Sequence, residues 1–111
     1  MKANGPRLKA EYRRLQRRLG KIGWISHGYV QDRGPGAGGP CYQWTRKERQ
    51  KTVSVALSQE QFDPMKQAID IWRDVQLMLK RMEQISRTLI FETTPGPTRR
   101  KPLSEKVLGL I

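Results

Sequence analysis

The chain has 111 residues, with 22 Lys or Arg against 10 Asp or Glu, for a formal net charge of +12. Apolar residues make up 36%, material for one small core and not two. One Cys and one His exclude a disulfide scaffold and any zinc site built wholly from this chain's own Cys and His, because four such ligands are needed. No apolar run approaches the roughly 20 residues of a membrane span, and Met1-Lys2-Ala3-Asn4-Gly5-Pro6 leads into no apolar signal segment. A reduced cytoplasmic, bacterial, nucleoid or nucleoprotein-associated location is the expectation. The balance favours a protein that binds a polyanion over an enzyme.

The charge is uneven. Residues 1–27 carry eight cations and one acid, 28–57 five and two, 58–94 five and six, and 95–111 four and one. A dense basic N-terminus beside a near-neutral third quarter points to a directed basic surface rather than a uniformly solvated one.

Residues 7–19 read as a helix. Leu8, Tyr12, Leu15 and Leu19 recur at i, i+4, i+7 and i+11 and form one apolar seam. Arg7, Lys9, Arg13, Arg14, Arg17 and Arg18 fall on the opposite side of the wheel, Pro6 suits the first turn, and Gly20 suits the stop. Six cations with a single acid, Glu11, repel one another. An anionic partner would relieve that repulsion.

A short strand is expected near 28–32. The run from Arg33 to Pro40 is too rich in Gly and Pro for regular structure. Cys41 to Arg46 reads as a second strand with Tyr42 and Trp44 on one face. Lys51 to Leu57 reads as a third, with Val53, Val55 and Leu57 directed inward. Lys47-Glu48-Arg49-Gln50 has hairpin length, and such a hairpin needs an apolar support.

That support is the segment from 58 to about 91. Ser58 and Gln61 have capping-box spacing. Asp63-Pro64 has the form of a second N-cap and first turn, so a helix of about 28 residues, roughly 42 Å, is expected from 64 onward. Met65, Ile69, Trp72, Val75, Leu79, Met82, Ile85 and Leu89 form its stripe, widened by Ala68, Ile71 and Met78. It should carry the hairpin on one part and the first helix on another. Residues 93–102 form an extended linker with Arg99-Arg100-Lys101. The apolar tail holds Leu103, Val107, Leu108, Leu110 and Ile111, and either folds back or docks on a partner, with Ser104 placed to cap a turn. The expected fold is α+β: a basic N-terminal helix, a small antiparallel β-hairpin or three-stranded sheet, a long C-terminal helix and an extended basic tail. Residues 1–92 would form one domain, followed by linker and docking peptide over 93–111.

No catalytic constellation emerges. His27 is isolated, Cys41 has no His or second Cys beside it, and the Gly-rich 34–40 segment lacks the Gly-Lys-Ser/Thr ending of a P-loop. No metal, cofactor or enzymatic activity is expected. Nucleic acid, either structured RNA or duplex DNA, is the expected partner. The contacts fall to Arg7, Lys9, Arg13, Arg14, Arg17, Arg18, Lys21, Arg46, Lys47, Arg49, Lys51, Arg99, Arg100 and Lys101. Tyr29 and Trp44 (and Tyr42 beside them) are placed to stack on unpaired bases, with packing between sheet and helix as the plainer role for Tyr42 and Trp44. A larger protein or a second copy would engage the long helix and the tail residues Leu103, Val107, Leu108, Leu110 and Ile111. An adaptor that chiefly binds protein is the rival reading.

The order of parts resembles a family of small bacterial proteins encoded beside transposases and other mobile-element genes, to which no activity is assigned. The resemblance covers about residues 8–91. It is carried by Leu8 with Tyr12-Arg13-Arg14-Leu15, by Gly28-Tyr29-Val30, by Gly39-Pro40-Cys41-Tyr42-Gln43-Trp44-Thr45-Arg46-Lys47, and by Lys51 to Ser58. Members carry a Cys-rich stretch where this chain has Arg33-Gly34-Pro35-Gly36-Ala37-Gly38, so the metal knuckle suggested by the family has no ligands here. The resemblance implies a mobile-element setting; joined to the charge pattern, it leads to the expectation of a non-enzymatic nucleic-acid-binding accessory subunit of a mobile-element or RNA-guided nucleoprotein complex.

Overall fold

A computed structural model of the chain describes residues 4–36, 38–39 and 41–111. Parts of the Gly-rich connection (Ala37, Pro40) and of the N-terminus (Met1 to Ala3) lie outside the described residues. The elements run α1 (Gly5–Leu19), β1 (Tyr29–Asp32), β2 (Tyr42–Glu48), β3 (Lys51–Leu57) and α2 (Gln59–Thr93). The fold is α+β, with an N-terminal helix, a three-stranded antiparallel sheet of order β1-β2-β3 and a long C-terminal helix. The chain divides into two compact units, one made of the residues up to Lys21 together with Gln76–Ile111, the other of Ile22–Val75.

In the Ile22–Val75 unit, Tyr42, Trp44 and Arg46 pair with Leu57, Val55 and Val53, so these six share one sheet face. The Tyr42 ring lies 4.9 Å from Phe62 in the first turn of α2, and the Ser26 amide donates to the Ala68 carbonyl at 3.2 Å. Ala68, Ile69 and Val75 are buried. The apolar face is covered unevenly. Val53 and Leu57 are half-buried as the alternation requires, but Val55 remains 41% exposed. The ring contact with α2 is at the Tyr42–Leu57 end, so the expected inward position of Val55 is not realised. On the opposite face Thr45 is the buried residue of the central strand, and its hydroxyl lies 3.1 Å from that of Ser54.

In the other unit, Leu15 of α1 and Met78 and Ile85 of α2 are buried, Ile85 at 1% exposure. Each such side chain removed from water contributes about 1.5–3 kcal/mol. Leu79 departs from the expected stripe. It is exposed because, at about 100° per residue, it lies to one side of the line through Met78, Met82, Ile85 and Leu89.

The expected start of α2 at 64 is corrected. The helix begins at Gln59 and runs 35 residues through Pro64, about 52 Å at 1.5 Å per residue. The capping box forms in both directions, with the Gln61 amide donating to Ser58 Oγ at 3.1 Å and the Ser58 amide donating to Gln61 Oε1 at 2.9 Å. This closes the first turn before Pro64 is reached. Pro64 lacks the amide that would bond Glu60, but Glu60 is exposed and water can satisfy its carbonyl. Asp63 therefore lies inside the helix and is not a cap.

The tail turns back within its own unit. The Val107 amide donates to Ser104 Oγ at 3.1 Å, and amides of Leu108 and Leu110 bond the carbonyls of Ser104 and Glu105. Ser104 thus caps a single turn, as its position suggests.

Candidate nucleic-acid interface

The α1 cations follow from helix geometry. Tyr12, Leu15 and Leu19 turn inward, so Arg7, Lys9, Arg13, Arg14, Arg17 and Arg18 are all exposed, as is Lys21 beyond the last turn. Among the described residues none of these seven forms an ion pair. The acid of this helix, Glu11, is engaged elsewhere. Arg81 of α2 donates from Nε and from its second terminal nitrogen to the two Glu11 oxygens, at 2.6 and 2.9 Å. This bidentate bond holds the Glu11 carboxyl below its ordinary value. The Arg81 and Arg14 charges add to it, and partial burial opposes it. Arg7 and Arg14 line a small cleft with Glu11 and Arg81, and the outward cations are left unneutralised.

The pair also sets a pH dependence. Because the folded-state Glu11 pKa is depressed, its stabilisation is present above about pH 4.5 and disappears as pH falls through the lower folded value. Both partners are partly exposed, so roughly 0.5–1 kcal/mol is at stake. Glu11→Gln should lower Tm by about 2–6 °C at pH 7. The gap to wild type should narrow in thermal melts as pH is lowered from about 7 to about 3, and a gap constant across this range would contradict the assignment.

Arg99, Arg100 and Lys101 belong to the same unit as α1. They line an open cleft of about 900 Å³ with Asn4, Leu8, Phe91 and the tail. Leu103, Leu108 and Leu110 are half-buried in this cleft, whereas Val107 and Ile111 are exposed at 73% and 85%. The five tail residues expected to meet a partner are therefore divided, three folded onto their own chain and two facing outward.

The hairpin cations lie in the other unit. Lys47, Arg49 and Lys51 are exposed, while Arg46 is half-buried. The Arg46 guanidinium lies 4.5 Å from the Trp44 ring centroid and its Nε donates to Glu48 Oε2 at 3.3 Å. Trp44 Nε1 donates to the His27 carbonyl at 2.8 Å. Trp44 thus has its nitrogen committed and a cation over its ring. Tyr42 packs on Phe62. Tyr29 is different, because it is on the opposite sheet face, pairs with Thr45 and is 53% exposed. The α1 and 99–101 cations belong to one unit and the hairpin-tip cations to the other.

The sequence reading passed over Trp24, which is 85% exposed. It borders a shallow apolar pocket with Ile25, Leu57, Pro64 and Met65. A Trp-Ile pair in an extended segment carries no periodicity that would distinguish an exposed ring from a core one. Among the described residues there is no group of three His, Cys, Asp or Glu able to hold a metal, and no helix long and apolar enough to cross a membrane. Comparison with family models, with curated proteins and with solved structures finds no match.

Proposed function

We propose that this chain is a non-enzymatic nucleic-acid-binding protein, an accessory subunit of a mobile-element or RNA-guided nucleoprotein complex. In this reading it grips the phosphate backbone with α1 and with the β2–β3 hairpin tip. The observation that carries the reading is the α1 face, with six exposed cations, and Lys21 just beyond it, lacking ion-pair partners among the described residues while the adjacent Glu11 is drawn to Arg81. Unneutralised cations on a regular helix attract a polymer of regularly spaced anions, and release of condensed counterions drives the association. The mobile-element setting rests on the sequence motifs alone.

Filter binding across a salt titration, with duplex DNA and with a structured RNA, tests this. If six to eight phosphates are neutralised on duplex, log K falls against log salt with a slope of roughly −5 to −7. Absence of binding to both substrates at low salt would overturn the proposal. The adaptor reading is favoured by one observation, the exposure of Leu77, Ile90 and Phe91 on α2. It predicts assembly with a protein that survives nuclease treatment and high salt.

A further inference from the structure

The turn joining β2 to β3 departs from every other left-handed position described in this chain. Gly28, Gly34, Gly36, Gly39 and Gly109 all have positive φ, and all are glycine. At the hairpin tip the two residues with positive φ are Arg49, at 48°, and Gln50, at 68°. A two-residue hairpin turn with both φ positive is the type that favours Asn-Gly, because Cβ crowds the following carbonyl oxygen there, a cost that Gly lacks and that the short polar Asn offsets by local hydrogen bonding. The chain holds two long polar side chains in a conformation for which it uses glycine elsewhere. Strain of this kind persists where the side chains themselves are useful.

The geometry around the turn suits one use. β1 pairs with β2 only as far as Tyr29 opposite Thr45. Beyond that register the pairs Arg46–Val53, Lys47–Thr52 and Glu48–Lys51 form a two-stranded ribbon, with no third strand beside it among the described residues. Three pairs extend about 10 Å, and residues 47–52 are all exposed. The B-form major groove is about 12 Å wide and 8.5 Å deep and admits such a ribbon, whereas the A-form RNA major groove is too deep and narrow. Charge agrees with the shape, because Lys47, Arg49 and Lys51 surround a single acid, Glu48, which is paired with Arg46. Arg matches the O6 and N7 acceptors of guanine, and Gln matches N6 and N7 of adenine.

From this we infer that the β2–β3 ribbon enters the major groove of duplex DNA and that Arg49 and Gln50 read base edges there. The inference deepens the nucleic-acid reading above and rests on it, but assigns sequence recognition to a surface otherwise expected only to meet phosphates.

The test is selection from a pool of randomised duplexes of about two helical turns, with the full chain at near-physiological salt. Wild type should enrich a site containing neighbouring G and A positions and prefer it over a scrambled duplex by roughly 10-fold or more. Arg49→Lys keeps the charge and loses the bidentate fork. It should retain affinity for the unselected pool and the same salt slope, while the preference at G falls below about 2-fold. Replacing the turn by Arg49→Asn with Gln50→Gly should raise Tm by roughly 5 °C and abolish the preference. The inference is overturned if wild type binds the pool but enriches nothing, or if either variant keeps the wild-type preference. A wild-type chain that binds no duplex at all defeats this inference, and the broader reading fails with it only if structured RNA is also left unbound.

Discussion

Replacing Lys9, Arg13, Arg17 and Arg18 by Gln should weaken binding to duplex DNA roughly 1,000-fold at 0.1 M salt while leaving the protein about as stable as wild type. Each neutralised phosphate contributes about 0.9 to the slope of log K against log salt, so loss of four contacts should flatten the slope by about 3 to 4. The contrast between a large loss of affinity and a nearly unchanged stability makes the experiment decisive. All four residues are exposed and, among the described residues, none is ion-paired, so the stabilisation lost is that of Arg17 and Arg18 with the dipole at the C-terminal end of α1. Arg, Lys and Gln have similar helix propensity. The changes also remove like-charge repulsion along the helix between Lys9 and Arg13 and between Arg13 and Arg17, worth a few tenths of a kcal/mol per pair. Arg14, which helps lower the Glu11 pKa, is spared. Fluorescence anisotropy over a salt series and a thermal melt on the same samples check both halves. An unchanged slope with a lowered Tm would assign these cations to structure and not to phosphate.

Gly28→Ala should destabilise the protein by roughly 3–5 kcal/mol, enough to lower Tm by more than about 15 °C. Gly28 has φ +102, a conformation closed to ordinary side chains. It also leads into β1 against the central strand. A methyl group there would collide with the Thr45 carbonyl oxygen and lie 2.9 Å from Trp44 Nε1 and 3.2 Å from Arg46 Cβ. The Thr45 oxygen belongs to the backbone of the middle strand and cannot yield without disturbing the ladder. The Trp44–His27 hydrogen bond, one residue away, would be lost with it. Gly34→Ala serves as the control. It too has positive φ, but no atom lies within 4 Å of the added carbon, so only the backbone strain of about 1 kcal/mol should be felt. Chemical denaturation of both variants measures the difference. Equal losses would mean that the close packing against Thr45 contributes nothing.

Much of the fold was legible in the residues. The Leu8-Tyr12-Leu15-Leu19 spacing marked α1 to within two residues at either end, the Lys51–Leu57 alternation marked β3, and Ser58 with Gln61 had the spacing of the capping box that forms. The cationic face of α1 followed from the same periodicity, because placing the apolar seam places everything opposite it. The α2 boundary was misread because Pro64 was weighed against one hydrogen bond alone. A capped first turn already in place, and water available to the exposed residue that loses its bond, make the proline tolerable.

Local pattern determines backbone period and which side of an element is apolar, since both depend on residues a few positions apart. It is silent on what lies across from that side. Val55 obeys the period yet faces solvent, because burial requires an opposing element at that point along the strand. Trp44 and Tyr29, alike in sequence, separated into a hydrogen-bonded, cation-covered ring and an exposed one once the register sent them to opposite sheet faces. The pairing of Glu11 with Arg81, 70 residues away, and the left-handed backbone at Arg49 and Gln50 arise from chain closure and strand twist. These non-local constraints depend on the three-dimensional path and cannot be written into any short window of residues.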